Sequence, residues 1–194
     1  DFFVKITAGG TTSTIPEGLS DSSEFAAKDE LITKISGQPG MIQNGYAKSI
    51  FGQSGPIPPE IDQKTIYTIY WKITNPGSDI IQAGASAILP VGVQWENKTE
   101  IRGTQNQITF NGRTDEVNWN FQVVPSKTGV NLPPTEGYFQ ISITPSENQK
   151  GKPIILLKNT RLEGKDSFTN QAISLTVGDI STDQIADSEG GIVQ

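Results

Sequence analysis

The chain has 194 residues, no Cys and no His, and a formal net charge of −6 from 15 Lys and Arg against 21 Asp and Glu. This excludes thiol nucleophiles, Ser-His-Asp triads, histidine-based zinc sites and imidazole pH switching, and the scattered acidic excess disfavours nucleic acid and anionic membranes, which need clustered Lys and Arg. With 20 Gly, 12 Pro and 34% hydrophobic residues, the composition favours strands and turns in a chain long enough to bury about 70% of its unfolded surface.

No apolar run approaches the roughly 20 residues that a membrane-spanning helix needs. The sequence opens Asp1-Phe2-Phe3 and its one Met is Met41, as expected of a processed protein or a piece of a longer one.

In chain order, DFFVKITA sets Phe2, Val4, Ile6 and Ala8 against Phe3, Lys5 and Thr7, the alternation of a strand. The run GGTTSTIP from Gly9 breaks it. The segment EFAAKDELI has helical composition but no clear 3.6-residue stripe, and the alternation of Leu31, Thr33 and Ile35 against Ile32, Lys34 and Ser36 predicts a strand over FAAKDELITKI. After a turn at Gly37-Gln38-Pro39-Gly40, MIQNGYAKSIF reads as extended. Pro56, Pro58 and Pro59 hold the chain near polyproline II. From Thr65 the alternation is clean: Tyr67, Ile69, Trp71 and Ile73 form a core row, while Thr68, Tyr70, Lys72 and Thr74 form an outer row.

The Asn75-Pro76-Gly77-Ser78 turn leads into Ile81, Ala83, Ala85, Ala87 and Leu89 on one face, small side chains that predict bulky neighbours such as Trp71. Val93 and Trp95 follow. Ile108 and Phe110, then Asn111-Gly112, then Val117, Trp119, Phe121 and Val123 predict a hairpin. Further strands are predicted around Phe139, Ile141 and Ile143, in KPIILLKNTRL, and around Ile173, Leu175 and Val177. Turn signals about a dozen residues apart predict an all-β antiparallel sandwich.

The ordered stretches Ser54 to Pro59, Thr65 to Asn75, Leu89 to Trp95, Thr109 to Trp119, Phe139 to Ser146 and Leu162 to Thr176 together resemble immunoglobulin-like domains of large, repeat-bearing bacterial surface proteins. The likeness is closest to the envelope-anchored proteins of ultra-small, candidate-phylum bacteria. It implies an immunoglobulin-like sandwich, an extracellular location at the cell surface, copies of itself or neighbouring repeats as protein partners, and no catalytic residues. It also implies that residues up to about Ile35 are the end of a preceding repeat or an appended strand. The expected organisation is therefore an N-terminal strand and linker over 1–40, the sandwich over 41–180 and an acidic linker or tail over 181–194.

Trp71 and Trp119 sit in phase with aliphatic residues and are expected in the core. Trp95, at a loop end, and Tyr70, an aromatic on a polar face, are the candidate ligand contacts, with a glycan as ligand class because aromatic faces suit sugar rings. The neighbouring pairs Asp115 and Glu116, and Glu60 and Asp62, point apart or lie in turns, so no glycosidase-like carboxylate pair is expected. Asp179, Asp183, Asp187 and Glu189 are candidates for Ca²⁺ ligation, because hard cations take several oxygens, although the spacing is not that of an EF-hand and a solvated acidic linker is the alternative. Asn97-Lys98-Thr99 is a glycosylation sequon. Phe2, Val4, Ile6 and Ala8, followed by a Gly-Thr-Ser linker, have the form of a donor strand that would pair with an open sheet edge of another subunit. The sequence thus predicts a non-enzymatic structural subunit or module of a filament, lattice or stalk; the alternative is an adhesin or carbohydrate-binding module.

Overall fold

The computed structural model describes residues 2–11, 24–33, 37–188 and 191–194. These fall into two compact units, Asp1–Ser36 and Gly37–Gln194.

In the first unit, β1 (Phe2–Thr11) and β2 (Glu24–Thr33) pair antiparallel along their whole lengths, from Phe2 opposite Thr33 to Thr11 opposite Glu24. The strand predicted at FAAKDELITKI is therefore present as far as Thr33, and Lys34 and Ile35 lie outside the described residues. Strand β1 also runs through Gly9 and Gly10, where the sequence suggested a break, because their pairing with Ala26 and Phe25 fixes them in the ladder. The register sets positions 2, 4, 6 and 8 opposite 33, 31, 29 and 27, and Lys5 opposite Glu30. Residues 5–9 and 26–30 are exposed, Ile6 to 56%.

The second unit contains β3 (Gly40–Tyr46), β4 (Thr65–Thr74), β5 (Ile80–Ile88), β6 (Val93–Arg102), β7 (Ile108–Asn111), β8 (Glu116–Val124), β9 (Thr135–Ile143), β10 (Ile155–Asp166), β11 (Ala172–Val177) and β12 (Ile180–Ser181). They form two antiparallel sheets, one in the order β3-β4-β9-β6 and the other in the order β11-β10-β5-β8-β7, with β12 beside the start of β10. Taken in chain order, β3, β4, β5, β6, β9, β10 and β11 occupy the A to G places of an immunoglobulin-like sandwich, with ABED facing GFC. The β7–β8 hairpin widens the second sheet beyond β5.

The predicted core rows are buried. Tyr67, Ile69, Trp71 and Ile73 from β4 face inward, as do Phe139, Ile141 and Ile143 from β9 and Ala83, Ala85, Ala87 and Leu89 from β5 and its end. Trp71 and Trp119 stack with ring centroids 6.5 Å apart at 21°, and Phe139 meets Trp71 edge-on at 5.0 Å. Each such ring contributes about 1.5–3 kcal/mol or more by leaving water. Trp119 has room because β9 carries Gly137: a Cβ there would lie 2.8 Å from the Trp119 ring and from Ile108 Cδ1.

Two predicted faces change phase. Ile80 rather than Ile81 is buried, because Gln82 (φ 51°) sits at a register shift in β5. Likewise Val124 is buried and Val123 is 46% exposed, because Gln122 (φ 60°) interrupts β8 opposite that same shift. A bulge places one extra residue and reverses every later side chain.

The segment expected as an acidic linker or tail packs against the sandwich instead. Ile185 and Val193 are buried, Ala186 N donates to Gly45 O at 2.9 Å, and Gln194 N donates to Pro59 O at 2.9 Å. Ile185 and Val193 close the end of the core while Ile192 stays exposed, a division that the acidic composition obscured.

Candidate interaction surface

The outer face of the β3-β4-β9-β6 sheet carries a cluster of three half-buried tyrosines, Tyr46, Tyr70 and Tyr138. Alternation along β4 turns Thr68, Tyr70 and Lys72 outward, and alternation along β9 does the same for Glu136, Tyr138 and Gln140. The register sets Tyr70 directly opposite Tyr138 and Lys72 opposite Glu136. The Tyr70 and Tyr138 rings lie 4.8 Å apart, and Tyr46 at the end of β3 meets Tyr70 edge-on at 6.4 Å. Tyr70 Oη donates to Glu136 Oε1 at 2.5 Å. Arg102, held by Glu100 at 2.7 Å, places its guanidinium 5.4 Å from the centre of the Tyr138 ring, a cation–π arrangement.

After β3 the chain folds back over this face. Ser49 Oγ and Thr68 Oγ1 share a hydrogen bond of 2.7 Å, and the Phe51 ring lies 4.9 Å from Lys98 Nζ in the bulged part of β6. This cover explains why Thr68, Gln140 and Ser142, which point away from the core, are buried. Glu96, in the same bulge, receives Ser142 Oγ at 2.6 Å and Lys64 Nζ at 2.7 Å. Burial pushes its carboxyl up, but those two partners outweigh burial and hold it below the usual carboxylate range. Beside the cover a cleft of about 380 Å³ opens, lined by Tyr46, Lys48, Ser49, Ile50, Tyr70 and Tyr138.

Burial governs the protonation of the tyrosines in this cleft. Burial, followed by the Glu136 hydrogen bond and charge, pushes the Tyr70 phenol far above its ordinary value, and burial raises Tyr138 as well. Tyr70 therefore stays a hydrogen-bond donor over the physiological range. Rigid tyrosines rimmed by Arg and Glu suit a protein surface or the face of a sugar ring.

Tyr70 thus lies where the sequence placed it, on the outer face. Trp95 does not join it. Its ring stacks on Phe110 at 5.6 Å and 15° and leans on Phe139 at 5.4 Å, so it closes the margin between β6 and β7 and is not a free stacking platform. Tyr46, Tyr138, Glu136 and Arg102 were missed because alternation gives a face but not which strands lie side by side. The paired strand is the signal: GYFQISI sets Tyr138 opposite in phase to Phe139.

Of the proposed donor positions, Ile6 and Ala8 are exposed, and the side chains of Phe2 and Val4 lie outside the described residues. The strand that carries all four already has β2 along one edge. The candidate Ca²⁺ ligands do not converge: Asp179 Oδ1 accepts Asn159 N at 3.0 Å, the Asp187 carboxylate accepts Ala47 N and Lys48 N at 2.7 and 2.6 Å, and Asp183 binds the Ser181 hydroxyl. Glu189 lies outside the described residues. Among the described residues no acidic group is arranged to hold a metal ion. No helix among them is long and apolar enough to cross a membrane. Asn97 of the sequon is exposed in the β6 bulge, with φ 52°.

No family model matches the sequence, and no curated protein matches it. Among solved structures, the chain is similar to the full-length major pilin SpaD of Corynebacterium diphtheriae, at 8% identity and a TM-score of 0.47 over 74% of this chain and 35% of that one. It is similar to BcpA, the major pilin subunit of Bacillus cereus, at 8% identity and a TM-score of 0.47 over 87% of this chain and 52% of that one. It is also similar to a GH20 exo-β-N-acetylglucosaminidase of Vibrio harveyi, at 9% identity and a TM-score of 0.37 over 73% of this chain and 18% of that one. The chain spans about half or less of the length of each of these.

Proposed function

We propose that the chain is a non-enzymatic module of an extracellular assembly at the bacterial cell surface, a filament, lattice or stalk, which acts by spacing and by self-association through its N-terminal ribbon. The observation that carries this reading is the β1–β2 pair. A two-stranded hairpin is marginal in water and needs a third strand or a covering layer. Here the alternating positions 2, 4, 6 and 8 are Phe, Val, Ile and Ala, Ile6 is 56% exposed, and among the described residues no further strand joins either outer edge. Such an edge pairs readily with a sheet of another chain. The donated element is then a ready-made ribbon rather than a lone strand. Its acceptor is another copy, or a neighbouring repeat of the kind found in the large surface proteins of candidate-phylum bacteria.

A second reading, an adhesin or carbohydrate-binding module, draws on the tyrosine cleft: an aromatic face with hydrogen-bonding neighbours is suited to sugars as well as to protein.

Negative-stain electron microscopy separates assembly from its absence. The wild-type chain is expected to form fibres or ordered oligomers, and a variant carrying Ile6→Lys and Ala8→Lys is expected to stay dispersed. Dispersed particles in both preparations would contradict the reading.

A further inference from the structure

The opposite face of the sandwich carries a feature that self-association leaves unexplained. Gly84 lies in β5, a strand paired on both sides, with Glu163 of β10 and Asn120 of β8 as its neighbours across the ladder. Glycine weakens a strand interior, and it is usually demanded by a close neighbour or a left-handed backbone. Neither applies at this position. Gly84 has no positive φ, and a Cβ added there would meet Trp119 O at 3.6 Å and Asn120 Cα at 3.9 Å, ordinary contact distances. Gly137 and Gly164 differ, since a Cβ at either would come within 2.8 Å of Trp119 or 2.5 Å of Ile80. Gly84 borders the register shift of β5 against β8, where a strand glycine is common, and its missing side chain leaves the outer face open at that point.

Above Gly84 lies a groove of about 430 Å³ walled by Gln82, Glu116, Asn118, Asn120, Arg161 and Glu163. Through Ser86, Glu116 and Arg161 it continues along β5 into a hollow of about 280 Å³ that reaches Asn159 and Thr176. One end is built on left-handed backbone: Gln82, which lines it, has φ 51° at the register shift of β5 against β8. Backbone held in such a conformation re-aims side chains and concentrates at binding sites. Arg161 Nε donates to Ser86 Oγ at 3.1 Å and pairs loosely with Glu163 at 3.5 Å, which orients the guanidinium across the groove. The side chains of Gln82, Glu116 and Asn118 have no hydrogen-bond partner among the described residues.

The lining selects the ligand. Two carboxylates, Glu116 and Glu163, against the one guanidinium of Arg161 leave the lining with a net negative charge that disfavours phosphates and acidic polymers. Amides, hydroxyls and carboxylates in alternation offer donors and acceptors to a ligand dense in hydroxyl groups. Groove and hollow together run beside β5 from Gln82 to Ile88, about 20 Å at strand rise, the length of several linked rings. We propose that this groove binds a neutral oligosaccharide laid along β5, with one sugar ring seated over Gly84. The groove shares no lining residue with the tyrosine cleft and takes none from the N-terminal ribbon, so its ligand binding is tested apart from either.

The test is an array of neutral and acidic oligosaccharides probed with the 194-residue chain, followed by titration calorimetry on the best neutral tetrasaccharide and its monosaccharide. The expected result is binding of the neutral tetrasaccharide at least tenfold tighter than the monosaccharide. Gly84→Val, which fills the groove with a residue that favours strands, and Glu116→Gln should each weaken it at least tenfold. Gly84→Val should leave the melting temperature equal or higher, and Tyr70→Ala should bind as wild type. Binding of no neutral glycan, preference for acidic glycans, or binding that survives Gly84→Val but is lost in Tyr70→Ala would each overturn the proposal.

Discussion

Trp71 and Gln43 are joined by a hydrogen bond of 2.7 Å from the indole Nε1 to the amide Oε1. The same oxygen accepts Thr160 Oγ1 at 2.8 Å, and Gln43 Nε2 donates to Gly178 O at 2.9 Å. One amide of β3 thus satisfies groups from both sheets. Trp71 and Thr160 are fully buried, so loss of the acceptor strands two donors. Gln43→Met, similar in volume, is expected to lower stability by about 2–4 kcal/mol in urea unfolding. A change below about 1 kcal/mol would show that water replaces the amide.

Asn75 plays a comparable part at the β4–β5 turn. Its Nδ2 lies 2.7, 3.1 and 3.2 Å from the carbonyls of Ser78, Val124 and Pro125, and its Oδ1 accepts Gly77 N at 3.1 Å. Asn75→Asp puts a carboxylate against three carbonyls at a buried position and is expected to cost about 2–4 kcal/mol, read from the urea midpoint at neutral pH. An unchanged midpoint would mean that the turn does not depend on this donor.

Gly137 and Gly84 make a matched pair for calorimetry. Gly137→Ala collides with the Trp119 ring and Ile108 and is expected to destabilise by about 1–3 kcal/mol. Gly84→Ala meets only ordinary contacts and is expected to be neutral or to stabilise by up to about 1 kcal/mol. Equal losses at both positions would contradict the packing described.

These cases mark how far the sequence reaches. The alternation of TIYTIYWKIT gave the buried row of β4 in full, because a one-sided sheet makes period two unambiguous. It failed at Ile81 and Val123, where a single left-handed glutamine in each strand reverses the phase, and glutamine carries no turn signal. Tyr70 was legible as an outward aromatic. Its cluster was not, since Tyr46 and Tyr138 join it only through strand register. Trp95 misled because a short run of residues near a turn does not reveal that Phe110 and Phe139 pack on its ring.

Alkaline pH tests the burial of the tyrosines. Tyr67 is raised by burial, and Tyr70 by burial and then by Glu136. In the unfolded chain these phenols ionise near pH 10, about their ordinary value. Their contribution to stability is therefore complete below about pH 10 and is lost as pH rises above that value, because the unfolded state releases protons that the folded state keeps. Urea unfolding between about pH 9 and 11 should show falling stability, with a shallower fall in Tyr70→Phe. An identical slope in the variant would place Tyr70 in free contact with solvent.

The most direct measurement of the central claim is sedimentation velocity of the full 194-residue chain across a hundredfold concentration range, beside the Ile6→Lys, Ala8→Lys variant. Assembly through the β1–β2 ribbon predicts concentration-dependent growth of the wild-type species and a single monomer boundary for the variant, with identical urea unfolding of the two sandwiches. A monomer at every concentration for both proteins, or equal association by both, would contradict it.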